Sequence, residues 1–114
     1  MDTARIDRLL ARYADAYRRS DFDALREIFP SAGAERRRGM DQSRKACKSY
    51  DVTITSRQIS TSTSGSVMLT LQAVHTCTPR TAQKGLASPI EEIFVLHRDP
   101  TDNWFIEKTG LMDR

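Results

Sequence analysis

The sequence predicts an α+β fold, helices packed on a curved antiparallel sheet of about four strands, in a single domain over residues 1–114. Apolar residues recur at helical spacing from Ile6 to Pro30 and are interrupted by one polar corner. From Tyr50 onward the hydrophobic period drops to two. All of the helical pattern precedes all of the strand pattern, and that order leaves few architectures.

The first helix is expected to start behind Thr3 as its N-cap, with Asp7 near the first turn where the helix dipole favours negative charge. Ile6, Leu9, Leu10, Tyr13, Ala14 and Tyr17 make its buried stripe, and arginines dominate the other side. Ser20 and Asp21 offer oxygens to cap a second helix, whose apolar face is Phe22, Leu25, Ile28 and Phe29 and which Pro30 closes. A third helix is read from about Ala32 to Lys48, with a break at Gly39 as one option, burying Met40 and Cys47.

Tyr50, Val52 and Ile54 alternate with Asp51, Thr53 and Thr55 in the first strand, with Ile59 near its end, and Ser60 to Gly65 is a turn. The second strand, about Ser66 to Thr78, sets Val67, Leu69, Leu71, Ala73, His75 and Cys77 on one face. Pro79 to Pro89 reads as a polar loop or wide hairpin. The third strand, about Ile90 to Arg98, places Ile90, Glu92, Phe94 and Leu96 opposite Ile93, Val95 and His97. Asp99 to Asn103 is a turn, and Trp104 to Lys108 forms the last strand.

A chain of 114 residues suffices for one core and not two. Its 39% hydrophobic and 29% charged residues argue against disorder, and a net charge of +3 is too small to argue for nucleic acid. No apolar run approaches the roughly 20 residues that span a bilayer, so no membrane span is expected. The N-terminus lacks the apolar segment of a signal peptide, which predicts a cytoplasmic protein if Met1 is the native start and leaves localisation unknown for an excised domain. Cys47 and Cys77 are expected as buried free thiols, with a disulfide as the alternative. They form no CxxC pattern, so no metal is expected.

The stretch RYADAYRRSDFDALREIFP is similar to the first-helix pattern of the NTF2-like (SnoaL-like) superfamily: an aromatic, small residues, a polar corner with Asp, a Leu-containing helix, then proline. The closing EEIFVLHRDPTDNWFIEKTG resembles that superfamily's final hairpin, and SAGAERRRGMDQSRKACKSYDVTI resembles the middle helix of NTF2-like domains appended to bacterial multidomain proteins such as serine/threonine kinases. The resemblance implies a sheet curled around the helices into a cone, an interior that is either an apolar pocket or a filled core, and a homodimer through the outer sheet face. Apolar residues on both faces of the third strand agree with two covered faces.

Tyr13 falls where ketosteroid isomerases of this superfamily carry an oxyanion-stabilising tyrosine. The carboxylate base they require is missing after the second helix, where Glu35 stands alone among arginines, and this argues against isomerase activity. Strand parity puts His75, Cys77 and Glu92 on apolar faces, where a His–carboxylate pair or a His–Cys pair could do chemistry. The expected lining of a ligand pocket is therefore Tyr13, Tyr17, His75, Cys77, Glu92, Phe94 and Trp104, with no residue assigned a catalytic role. Glu92 is also read as a charge guarding a sheet edge. Scattered glycines build no phosphate-binding loop, and no cofactor is expected. The basic cluster Arg36, Arg37, Arg38, Arg44, Lys45 and Lys48 lacks interleaved aromatics and reads as a solvated helix face. The expected function is dimerisation, with room for a small apolar ligand, in an accessory or sensory role. The alternative is a small isomerase, cyclase or hydrolase acting on a hydrophobic substrate in the cone.

Overall fold

The computed structural model describes residues 3–61, 66–81 and 84–109. Three helices, α1 (Thr3–Arg18), α2 (Phe22–Ile28) and α3 (Ala34–Ala46), precede four strands, β1 (Cys47–Thr61), β2 (Val67–Pro79), β3 (Leu86–Arg98) and β4 (Trp104–Thr109). Thr3 already lies within α1 rather than ahead of it. The stripe Ile6, Leu9, Leu10, Tyr13 and Ala14 is buried as its spacing predicts. Tyr17, at the end of the stripe, is only half-buried.

The corner after α1 closes by backbone geometry. Asp21 N–H donates to the Ala16 carbonyl at 2.9 Å and Ser20 N–H to that of Tyr17 at 3.1 Å, with Ser20 in the left-handed region at φ 49°. Asp21 then caps α2, its Oδ1 accepting from Ala24 N–H at 3.1 Å.

Helix α3 begins two residues later than expected and runs unbroken through Gly39. A side chain at Gly39 would meet nothing within 4 Å, so the glycine costs helix propensity of about 1 kcal/mol and no packing. Burial of Met40 next to it offsets that cost. Arg80 secures the far end of α3. Its N–H donates to the Ala46 carbonyl at 3.2 Å, its Nε to that of Lys45 and its Nη2 to that of Arg44, both at 2.8 Å. These carbonyls lack partners within the helix, and Arg80 meets them at an exposed helix end.

The strands form one open, curved antiparallel sheet in the order β1-β2-β3-β4. Val67, Leu69, Leu71, Ala73, His75 and Cys77 face the helices opposite Leu96, Phe94, Glu92, Ile90, Ser88 and Leu86. A bulge between Ile54 and Ser56 shifts the β1 register by one residue. It lets Ile54 and Ile59, which strict alternation would place on opposite faces, both pack against the core.

Strand β3 starts at Leu86, so the expected loop Pro79 to Pro89 is mostly paired strand: Leu86 to Pro89 face Cys77 to Val74. Ala, Ser and Pro gave no strand signal there, and the register propagated from the rest of the hairpin overrides propensity. Among the described residues β4 pairs only with Phe94 to Arg98 and none covers the edge of β3 from Leu86 to Ile93. Proline is tolerated on such an edge because its missing donor faces outward. The expected Ser60–Gly65 turn is strand at Ser60 and Thr61, and residues 62–65 lie outside the described residues. No described helix is long and apolar enough to cross a membrane.

The expectation of free thiols is wrong. Cys47 and Cys77 form a disulfide with their Cα atoms 5.5 Å apart. Thirty positions apart in sequence, they are brought together by the long β1–β2 hairpin, where Cys77 faces Tyr50 and Cys47 faces Pro79. Closing a loop of this length removes unfolded-state entropy worth about 3.5 kcal/mol. Reduction, or paired replacement of both cysteines by serine, should lower unfolding stability by about 2–4 kcal/mol in a urea titration while leaving far-ultraviolet circular dichroism unchanged.

Candidate functional site

The concave side of the sheet carries a ring of polar side chains at the edge of the core. Glu92 projects from β3 between two helices. Its Oε1 accepts from Arg36 Nη2 of α3 at 2.6 Å, and its Oε2 accepts from the Tyr13 hydroxyl of α1. Arg36 Nη1 also donates to the Tyr17 hydroxyl at 3.0 Å. The Arg36 and Glu92 side chains are 22% and 17% exposed, so this is a largely desolvated pair. Two aromatic rings sit beneath the guanidinium, Phe29 at 5.0 Å and Phe94 at 5.8 Å.

Beside this group His75 is buried, with its Nδ1 2.7 Å from the Tyr50 hydroxyl and its Nε2 buried with no hydrogen-bond partner. The Tyr17 ring meets the His75 ring edge-on at 5.2 Å. One contiguous cluster therefore runs Tyr13–Glu92–Arg36–Tyr17–His75–Tyr50.

Burial first, and then the charge of Glu92, push the Tyr13 hydroxyl far above the usual phenol range, so it stays protonated and can only donate to the carboxylate. Burial also raises Tyr17, partly opposed by Arg36. Desolvation would lower Arg36, but the hydrogen bond and charge of Glu92 outweigh it and hold the guanidinium firmly protonated. Burial pushes His75 down, with Glu92 opposing that shift and Arg36 adding to it, so the imidazole is neutral at pH 7. Both Glu92 oxygens are occupied, which leaves no free carboxylate to act as a base.

Five of the seven predicted pocket residues, Tyr13, Tyr17, His75, Glu92 and Phe94, do come together here. Glu92 does lie on the uncovered edge stretch of β3, but its carboxylate turns inward to the helices rather than guarding the edge. The direct His–carboxylate pair is not formed, because Glu92 faces Leu71 while His75 faces Ser88. Cys77 is removed from thiolate chemistry by its disulfide. Trp104 sits at the other end of the sheet. It faces Arg98, ten positions along β3 from the Ser88 that faces His75, roughly 33 Å in strand rise.

Arg36 and Tyr50 were missed as site residues. Arg36 was absorbed into a solvated basic cluster, yet it precedes buried Met40 by four positions and so shares its helix face. Tyr50 shares strand parity with Val52, and its signal was present but unweighed.

The interior behind this cluster is filled by rings. Phe94 is fully buried, Tyr13 is 1% exposed and Phe29 3%, and the Tyr13 and Phe29 rings each meet Phe94 edge-on at 5.8 Å. Three clefts of about 880, 570 and 230 Å³ open elsewhere, and neither Tyr13, Glu92 nor His75 lines any of them. Among the described residues no group of three His, Cys, Asp or Glu side chains could hold a metal ion. Comparison with family models, curated proteins and solved structures finds no match to this chain.

Glu92→Gln should destabilise the fold by about 2–4 kcal/mol, because it strands a half-buried guanidinium, and the double replacement Arg36→Met with Glu92→Leu should recover much of that loss. A double variant no more stable than Glu92→Gln would show that the pair is not desolvated. The lowered pKa of His75 means that the unfolded chain binds the extra proton first. Stability should therefore fall as pH drops below the unfolded value of 6.5, and continue to fall until the folded imidazole protonates. Urea titrations across that range should show this slope in the parent chain and a shallower one in His75→Gln.

Proposed function

We propose that this chain is a non-catalytic NTF2-like domain that pairs with a second copy through the outer face of its sheet, in an accessory role. One observation carries the reading: the outer faces of β2, β3 and β4 hold Met68, Val74, Pro89, Ile93 and Phe105, with Met68 36% exposed, Val95 buried opposite it, and the Gln72–Glu91 pair lying between Ile93 and Pro89. The same face of β1 is polar, with Asp51, Thr53, Ser56 and Gln58, and forms one rim. An apolar centre with a polar border is the usual anatomy of an interface.

Strands β2 and β3 each have 13 residues and β4 has 6, giving a face of about 500 Å² per copy. The resulting total of about 1,000 Å² is about the least a specific interface needs. Edge-to-edge pairing competes poorly, since Pro89 removes a donor from the uncovered stretch of β3.

The ring-filled interior favours association over capture of an apolar ligand, which would have to displace Tyr13, Phe29 or Phe94. The enzymatic alternative keeps one observation in its favour, the buried unpartnered Nε2 of neutral His75, but the neighbouring carboxylate is committed to Arg36 and Tyr13.

Light scattering on the chain at tens of micromolar should give twice the monomer mass, and Ile93→Lys should give the monomer with thermal stability within a few degrees of the parent. A parent chain that stays monomeric at that concentration overturns the proposal.

A further inference from the structure

The cleft of about 880 Å³ lies far from the polar cluster, between the N-terminal half of α1 and the turn joining β3 to β4. Its volume falls in the range that encloses small ligands, about 300–1,000 Å³. Leu9, Pro30, Trp104 and Phe105 supply an apolar floor, and Arg5, Arg8 and Arg12 stand along one side.

The charges there are unevenly committed. Asp102 on the opposite wall takes Arg5 and also Arg98, the latter at 3.2 Å. Glu27 takes Arg12 at 3.1 Å. Asp99 is held within its own turn, its Oδ1 accepting from Thr101 N–H, Thr101 Oγ1 and Asn103 N–H. Within the lining three guanidiniums thus meet three carboxylates, and exposed Arg8 takes none of them. Trp104 adds a half-buried ring, with Arg98 5.8 Å from its centroid, and an indole N–H buried without an acceptor. Among the described residues Arg8 pairs with no carboxylate, and a lone guanidinium over an apolar floor suits one chemical class.

We infer that this groove binds a small carboxylic acid with an apolar body, the carboxylate on Arg8 and the body against Trp104 and Pro30. The groove shares Phe105 with the proposed dimer face, but its acid-binding residues Arg8 and Trp104 lie outside that face.

Trp104 is the chain's single tryptophan, so its fluorescence reports on this groove. Titration of the full chain with 3-phenylpropanoate should give a saturable change. Its uncharged analogue 3-phenylpropan-1-ol should bind about tenfold more weakly, a factor worth about 1.4 kcal/mol. Arg8→Gln should weaken the acid to the level of the alcohol, while Arg26→Gln, on the exposed side of α2 and outside the groove, should leave it unchanged. The Ile93→Lys variant should bind the acid as the parent does, which separates this result from the dimer's. No saturable change with the acid, equal binding of acid and alcohol, or equal losses in Arg8→Gln and Arg26→Gln would each overturn the inference.

Discussion

The carboxylate of Glu92 is the constraint around which the concave side of this molecule is arranged. An ionised carboxylate moved out of water costs several kcal/mol unless donors meet both oxygens. The two donors come from two different helices, Tyr13 of α1 and Arg36 of α3, so a single side chain on β3 fixes both helices against the sheet. Other features follow from this one. Helix α3 must run straight through Gly39 to keep Arg36 and Met40 on one face. Tyr13 must stay protonated, and Phe29 and Phe94 must hold their edge-on arrangement near the guanidinium.

That arrangement also decides where the molecule can meet others. The polar ring satisfies its own charges, and the aromatic rings behind it occupy the space a cone might have kept open. The proposed binding surfaces lie outside this interior, on the convex face of the sheet and in the groove at its turn end. These two surfaces differ in kind. The sheet face is broad and mixes apolar positions with Glu91 and Lys108, whereas the groove is lined by arginines and acids around an apolar floor.

Periodicity made most of the fold legible. The α1 stripe, the faces of β2 and β3 and the Asp99–Asn103 turn all stand where spacing put them, because each rests on local pattern. What escaped depends on pairing across the chain. The β1 bulge cannot be seen until Ile54 and Ile59 are asked to share a face. The strand character of Leu86 to Pro89 comes from β2 and not from its own residues. In the site, Tyr13 and Tyr17 were recoverable from the helical stripe and His75, Glu92 and Phe94 from strand parity, but the partnership of Glu92 with Arg36 joins positions 56 apart and has no local signature. The disulfide had a signal that went unread: positions 47 and 77 are symmetric about position 62, inside the predicted Ser60–Gly65 turn, and a regular hairpin sets such positions face to face.

That disulfide has a consequence beyond closing a loop. It sits at the end of the β1–β2 ladder where the register shifts between Cys47 and Ser49, and a second shift follows between Ile54 and Ser56. A slip of one residue would turn Tyr50 and Val52 outward and Asp51 and Thr53 inward, exchanging the two faces of β1. Two irregularities in one ladder invite such a slip, and a covalent bond spanning the first of them forbids it. Oxidation therefore selects one alignment of the hairpin from its near-neighbours. In surroundings that keep thiols reduced, the choice would fall to noncovalent contacts such as the hydrogen bonds of Arg80, the Tyr50–His75 contact and the burial of Val52.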